Sequence, residues 1–69
     1  MEAKRRRDRL VEILKASTEP VPGSELAKKL GVSRQVIVQD IALLRAINKN
    51  ILATTKGYIL YYHSKEKQP

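Results

Sequence analysis

The sequence has 69 residues, enough for one small domain that buries a modest share of its surface. Hydrophobic residues make up 42% of it, but aromatics only 4% and Cys none, so the core is aliphatic and disulfide scaffolds and thiolate metal sites are excluded. Fourteen Lys and Arg against seven Asp and Glu give a net charge of +7 and a pI near 10.1, a balance that points to a polyanion, nucleic acid before anionic membrane.

No apolar run approaches the ~18 residues of a membrane span. The basic run Lys4-Arg5-Arg6-Arg7 leads into an amphipathic stretch rather than the apolar segment of a secretory signal. A cytoplasmic setting without membrane contact is the expectation.

The first element is a helix from about Ala3 to Ser17, with Leu10, Ile13, Leu14 and Ser17 on one buried stripe and a basic N-terminal end. Glu19 to Gly23 contains Pro20 and Pro22 and cannot continue it, though Val21 has room for one short edge-strand contact. A second helix follows from Ser24 to Leu30, with Gly23 or Ser24 as N-cap and Leu26, Ala27 and Leu30 inward. Glu25 at its start and Lys28 and Lys29 near its end both suit the helix dipole.

Gly31 ends that helix in a left-handed conformation, and Ser33 caps a third helix that reaches Ala46 or Ile47. Three residues with a glycine, Gly31-Val32-Ser33, form the turn of a helix-turn-helix, and Val32 tucks beneath the helix pair. Beyond Asn50, Ile51 to Thr54 and Tyr58 to Tyr62 are rich in branched and aromatic residues. They flank Thr55-Lys56-Gly57 as a β-hairpin. The fold class is mainly α with a β-hairpin, a winged helix-turn-helix of three helices plus wing. It occupies residues 1–63, and 64–69 form a polar tail or the start of a linker.

At about 100° per residue the third helix turns Ile37, Ile41 and Leu44 inward and Gln35, Gln39, Ala42 and Ala46 outward. Amide side chains pair with adenine N6 and N7 in the major groove, and small residues let a helix lie close to the duplex. Arg34 suits guanine or a phosphate, and Val36 and Val38 suit a thymine methyl. Arg34, Gln35, Val36, Val38 and Gln39 are therefore the candidate readers of double-stranded DNA, with Ser33 at the helix start a further DNA-binding candidate. Asp40 would repel phosphate, but it falls nearer the buried stripe, where an internal basic partner is expected.

Lys56 at the wing tip, Arg5, Arg6, Arg7 and Arg9 on the first helix, and Arg45 are candidate phosphate contacts. The alternative is a solubilising turn Lys for Lys56, and a solvated helix end or an expression remnant for the four arginines of the first helix. His63 has no acidic or Cys neighbours and is read as a tail residue. The serines have no organised base, and no glycine loop cradles a phosphate, so the chain is not read as an enzyme and no cofactor is assigned to it.

The stretch Gly31 to Gln35, with Asp40-Ile41 and Leu44-Arg45, resembles the helix-turn-helix of the biotin-repressor type. The run SRQVIVQDIALLRA from Ser33 to Ala46, with Ile51 to Thr54 and Gly57 to Leu60, is similar to the niacin-responsive repressors of bacterial NAD metabolism. This resemblance covers Leu10 to Leu60. It implies a reader domain of a repressor, working as a homodimer on a palindromic operator. It also implies a following domain that binds nicotinic acid and a metal and carries the dimer contacts. The sequence stops before any such domain, so a fragment or a stand-alone module that does not sense niacin is the expectation; the family's metal ligands have no counterpart here, so His63 inherits no role. Two other readings remain open: a regulatory domain cut from a biotin ligase, and a winged-helix protein-interaction module.

Overall fold

A computed structural model of the chain describes residues 2–47 and 49–61. In chain order come α1 (Ala3–Ala16), α2 (Gly23–Leu30), α3 (Arg34–Ala46) and an antiparallel hairpin of β1 (Ile51–Thr54) and β2 (Gly57–Leu60). This is the mainly helical architecture with a wing that the sequence implies. His63 and the tail 64–69 lie outside the described residues.

Amphipathic periodicity builds the core. Leu10 and Leu14 of α1, Leu26, Ala27 and Leu30 of α2, Ile37, Ile41 and Leu44 of α3, Val21 and Ile51 are all buried against one another. Each fully buried Leu or Ile contributes roughly 1.5–3 kcal/mol of transfer free energy, which a domain this small needs from nearly every such residue. Val32 packs partly buried against this cluster, under the helix pair as expected.

Helix α1 stops one residue before Ser17, which is the C-cap: its N–H bonds the Leu14 carbonyl, and its hydroxyl donates to the Ile13 carbonyl at 2.8 Å. Helix α2 begins at Gly23 with Pro22 as its N-cap, earlier than the sequence implies, and no side chain caps it. The Pro22 carbonyl accepts from the N–H groups of Glu25 and Leu26 at 3.0 and 3.1 Å. Tertiary packing sets this start, because Gly23 is buried under the side chains of Arg34 and Tyr58.

In the wing, Ile51 pairs with Leu60 and Ala53 with Tyr58. Leu60 and Tyr58 pack onto the core, while Leu52, between them on the other face, is exposed. The hairpin is tighter than expected: Gly57 belongs to β2, opposite Thr54, so Thr55 and Lys56 alone form the loop. The Thr54 hydroxyl closes it, accepting from the N–H of Lys56 and of Gly57 at 3.1 Å and donating to the Gly57 carbonyl at 2.8 Å. Strand β2 ends at Leu60, short of the expected Tyr62, which is not described.

Val21 makes the expected edge contact. Its N–H and carbonyl exchange two 2.8 Å hydrogen bonds with Tyr58 across the edge of β2 that β1 leaves open. The close approach has a cost in residue choice at Gly57. Its φ is +143°, and a Cβ there would lie 2.4 Å from the Val21 carbonyl carbon. Only glycine fits both demands.

Candidate nucleic-acid interface

The turn before α3 is built as its sequence implies. Gly31 takes φ +68° and ψ +34°, and its N–H caps α2 on the Ala27 carbonyl. Ser33 is extended, and its Oγ accepts from the Val36 N–H at 3.3 Å, satisfying one of the free donors at the start of α3.

From that start, α3 presents two unlike faces. Ile37, Asp40, Ile41 and Leu44 are buried. Arg34, Gln35, Gln39, Ala42 and Ala46 are exposed, and Val38 is 48% exposed. Gln35 and Gln39 stand one helical turn apart with no intramolecular hydrogen bond among the described residues, so both amides keep their donors and acceptors for an external partner. Val36, grouped with the readers from sequence, is half covered by the fold and presents less surface than Val38.

Asp40 is 1% exposed, and its carboxylate is turned into the protein. Arg6 grips it with two hydrogen bonds, Nε to Oδ2 at 2.6 Å and Nη2 to Oδ1 at 2.9 Å, and Arg7 Nη1 stands 3.6 Å from Oδ1. This forked geometry is the strongest form of such a pair. It raises the Arg6 pKa above its ordinary value, through the hydrogen bond first, with burial opposing and the charge of Asp40 assisting.

The four arginines of α1 therefore divide. Arg6, expected at a phosphate, is instead a tie between α1 and α3, because it lies four residues before Leu10 on the buried stripe. Arg7 leans on the same carboxylate. Arg5 and Arg9 stay exposed, one turn apart on a different row of α1. Arg45 is also engaged: its Nε donates to the Ile51 carbonyl at 2.9 Å, fastening the end of α3 to β1. Sequence reasoning did not separate these roles.

Lys56 is exposed in the wing loop. It and Arg34 line one crevice between the start of α3 and the wing, together with Thr55 and Tyr58. Tyr58 and Thr54 were missed as contributors. The Thr-Thr-Lys-Gly spacing was their one available signal, since a Thr three residues before Gly can brace a tight loop. The structure thus gathers Ser33, Arg34, Gln35, Val38, Gln39 and Lys56 around α3 and the wing, and leaves Arg5 and Arg9 on a separate element.

Among the described residues no helix is long and apolar enough to cross a membrane, and no three His, Asp or Glu side chains group to hold a metal ion. A family model described as an HTH domain matches residues 6–59. The chain is 61% identical over 51 residues to the "Probable transcription repressor NiaR" of Thermotoga maritima, an overlap of 74% of this chain and 29% of that protein. It is 61% identical over 54 residues to the "Transcription repressor NadR" of Bacillus subtilis, covering 78% of this chain and 30% of that protein. It spans about three-tenths of the length of these curated relatives.

Proposed function

The chain belongs to the helix-turn-helix family, and we propose that it is the sequence-specific DNA-reading domain of a bacterial transcriptional repressor of NAD metabolism genes. One observation carries the reading: α3 turns two unengaged amides, Gln35 and Gln39, outward beside small alanines, with its own carboxylate Asp40 withdrawn into the fold. Gln35, Gln39 and Val38 read base edges, Ser33 sets the helix start, and Arg5, Arg9, Arg34 and Lys56 supply positive charge. The two relatives are named as transcription repressors, and the resemblance to niacin-responsive repressors supplies the class of gene. In the whole protein a homodimer reads a palindrome whose half-sites lie ~10 bp or a multiple apart.

The test is a binding titration of the chain against a palindromic operator from upstream of an NAD biosynthesis gene and against a random duplex, over a salt series. Non-specific binding fades steeply with salt and ignores sequence. A preference for the operator that persists as salt rises supports the reading. Gln35→Ala is expected to relax that preference at one base pair by roughly 1–3 kcal/mol, the discrimination of a single paired contact. Equal affinity for both duplexes at every salt concentration refutes sequence-specific reading.

A further inference from the structure

We propose that the crevice between α3 and the wing is a phosphodiester-binding notch, in which Arg34 holds the DNA backbone and takes no part in reading bases. The inference rests on the DNA-binding function above, and it reassigns the residue whose chemistry suits either task.

A Cβ built on Gly23 would lie 3.4 Å from Arg34 Nε and 3.7 Å from Arg34 Cγ, and 3.4 Å from the ring of Tyr58. The stem of Arg34 is therefore folded back across the first residue of α2, beside the Tyr58 ring. It runs toward the wing, away from the outward row of Gln35 and Gln39. A guanidinium held there faces what passes between helix and wing.

Arg34 is exposed and makes no ion pair or hydrogen bond among the described residues, so its donors are open. Across the crevice stands exposed Lys56, with the Thr55 side chain beside it, and no carboxylate of the described residues lines the walls. Two cations in a walled space of about 190 Å³ without a counter-charge attract an anion more strongly than either does alone. A planar guanidinium binds phosphate oxygens in a two-pronged fashion, while an ammonium adds a mobile point charge.

When α3 enters a major groove with Gln35 and Gln39 at the base edges, one strand must leave the groove past the helix start. The wing residues Thr55 and Lys56 line the same crevice as Arg34, so a strand taking that path passes between Arg34 and Lys56. Duplex backbone is the occupant that the function supplies.

Arg34→Gln, Arg34→Ala and Lys56→Ala are titrated with the operator and the random duplex over a salt series, with folding of each checked by far-ultraviolet circular dichroism. Arg34→Gln keeps most of the stem over Gly23 and loses the charge, so it remains informative if the alanine variant unfolds. The expected result is an equal loss of affinity on both duplexes and a fall of about one in the slope of log affinity against log salt. The operator-to-random ratio stays within twofold of wild type. A changed preference at one base pair with an unchanged slope makes Arg34 a base reader and overturns the notch. Unchanged affinity and slope in Arg34→Gln also overturn it. Wild-type protein that binds neither duplex removes the DNA function itself, a result separable from either of these.

Discussion

Gly57→Ala places one methyl group where β2 meets the Val21–Pro22 segment. The new Cβ would stand 2.4 Å from the Val21 carbonyl carbon, 2.6 Å from its oxygen and 2.6 Å from Pro22 N, all backbone atoms with no rotamer to yield. Relief requires the segment to move away, which opens the two 2.8 Å hydrogen bonds between Val21 and Tyr58, at roughly 0.5–1.5 kcal/mol each. Holding alanine at φ +143° adds about 1–3 kcal/mol. The sum is about 2–6 kcal/mol, against the ~3–10 kcal/mol expected for 69 residues. At ~4–8 °C per kcal/mol, the melting temperature falls by at least about 8 °C in a thermal scan. Gly31→Ala is the control: its φ is +68° but nothing lies within 4 Å, so conformational strain of about 1–2 kcal/mol acts alone. If Gly57→Ala destabilises no more than Gly31→Ala, the close approach of Val21 is not what fixes the wing.

The tie between α1 and α3 gives the next expectation. Asp40→Ala leaves Arg6 and Arg7 without their carboxylate and lowers the melting temperature on the order of 10 °C. Arg6→Ala then costs much less in that background than in wild type, and equal costs in both would show that the two residues are not coupled. Since Arg6 has a raised pKa, the stabilisation it draws from the pair is complete below its ordinary value and is lost only as pH rises through the raised one. The Arg6→Ala deficit is therefore constant from neutral to mildly alkaline pH, and a deficit that shrinks across that window contradicts the assignment. Ile41→Asp puts an unpaired carboxylate at a site only 2% exposed and abolishes the cooperative unfolding transition, whereas Ile41→Val costs about 0.5–1.5 kcal/mol. A normal transition in Ile41→Asp would mean the phase of α3 is wrong.

Features governed by neighbours in sequence were legible before the structure. The phase of α3 follows from Ile37, Ile41 and Leu44 at helical spacing, and the turn follows from Gly31 and Ser33, whose roles depend on local backbone geometry. Val21, apolar between two prolines, was readable as a bridge because nothing else was open to it. Arg6 was also readable in principle, since Arg6, Leu10 and Leu14 recur every four residues, but its charge suggested a phosphate contact. The start of α2, the role of Gly57 and the path of Arg34 were hidden for one common reason. Each is set by a contact between the Val21–Gly23 segment and parts of the chain far along the sequence: Arg34, Gly57 and Tyr58.

These contacts also change what the net charge of +7 means. Taken evenly, it would make the arginine run of α1 the main source of DNA affinity. The fold withdraws Arg6 and Arg7 to Asp40, and sets Lys4 beside Asp8 and Lys29 beside Glu25. Eight cations keep no carboxylate partner among the described residues: Lys15, Lys28, Arg45 and Lys49, and the four assigned above to the DNA, Arg5, Arg9, Arg34 and Lys56. Salt sensitivity should then follow those four, while sequence preference follows the neutral amides of Gln35 and Gln39, which release no counterions when they bind. The two properties are therefore separable by substitution: a change at Gln35 alters which duplex is chosen and leaves the salt slope alone, and a change at Arg34 does the reverse. A single residue that moved both would mean that helix and wing do not divide the work in this way.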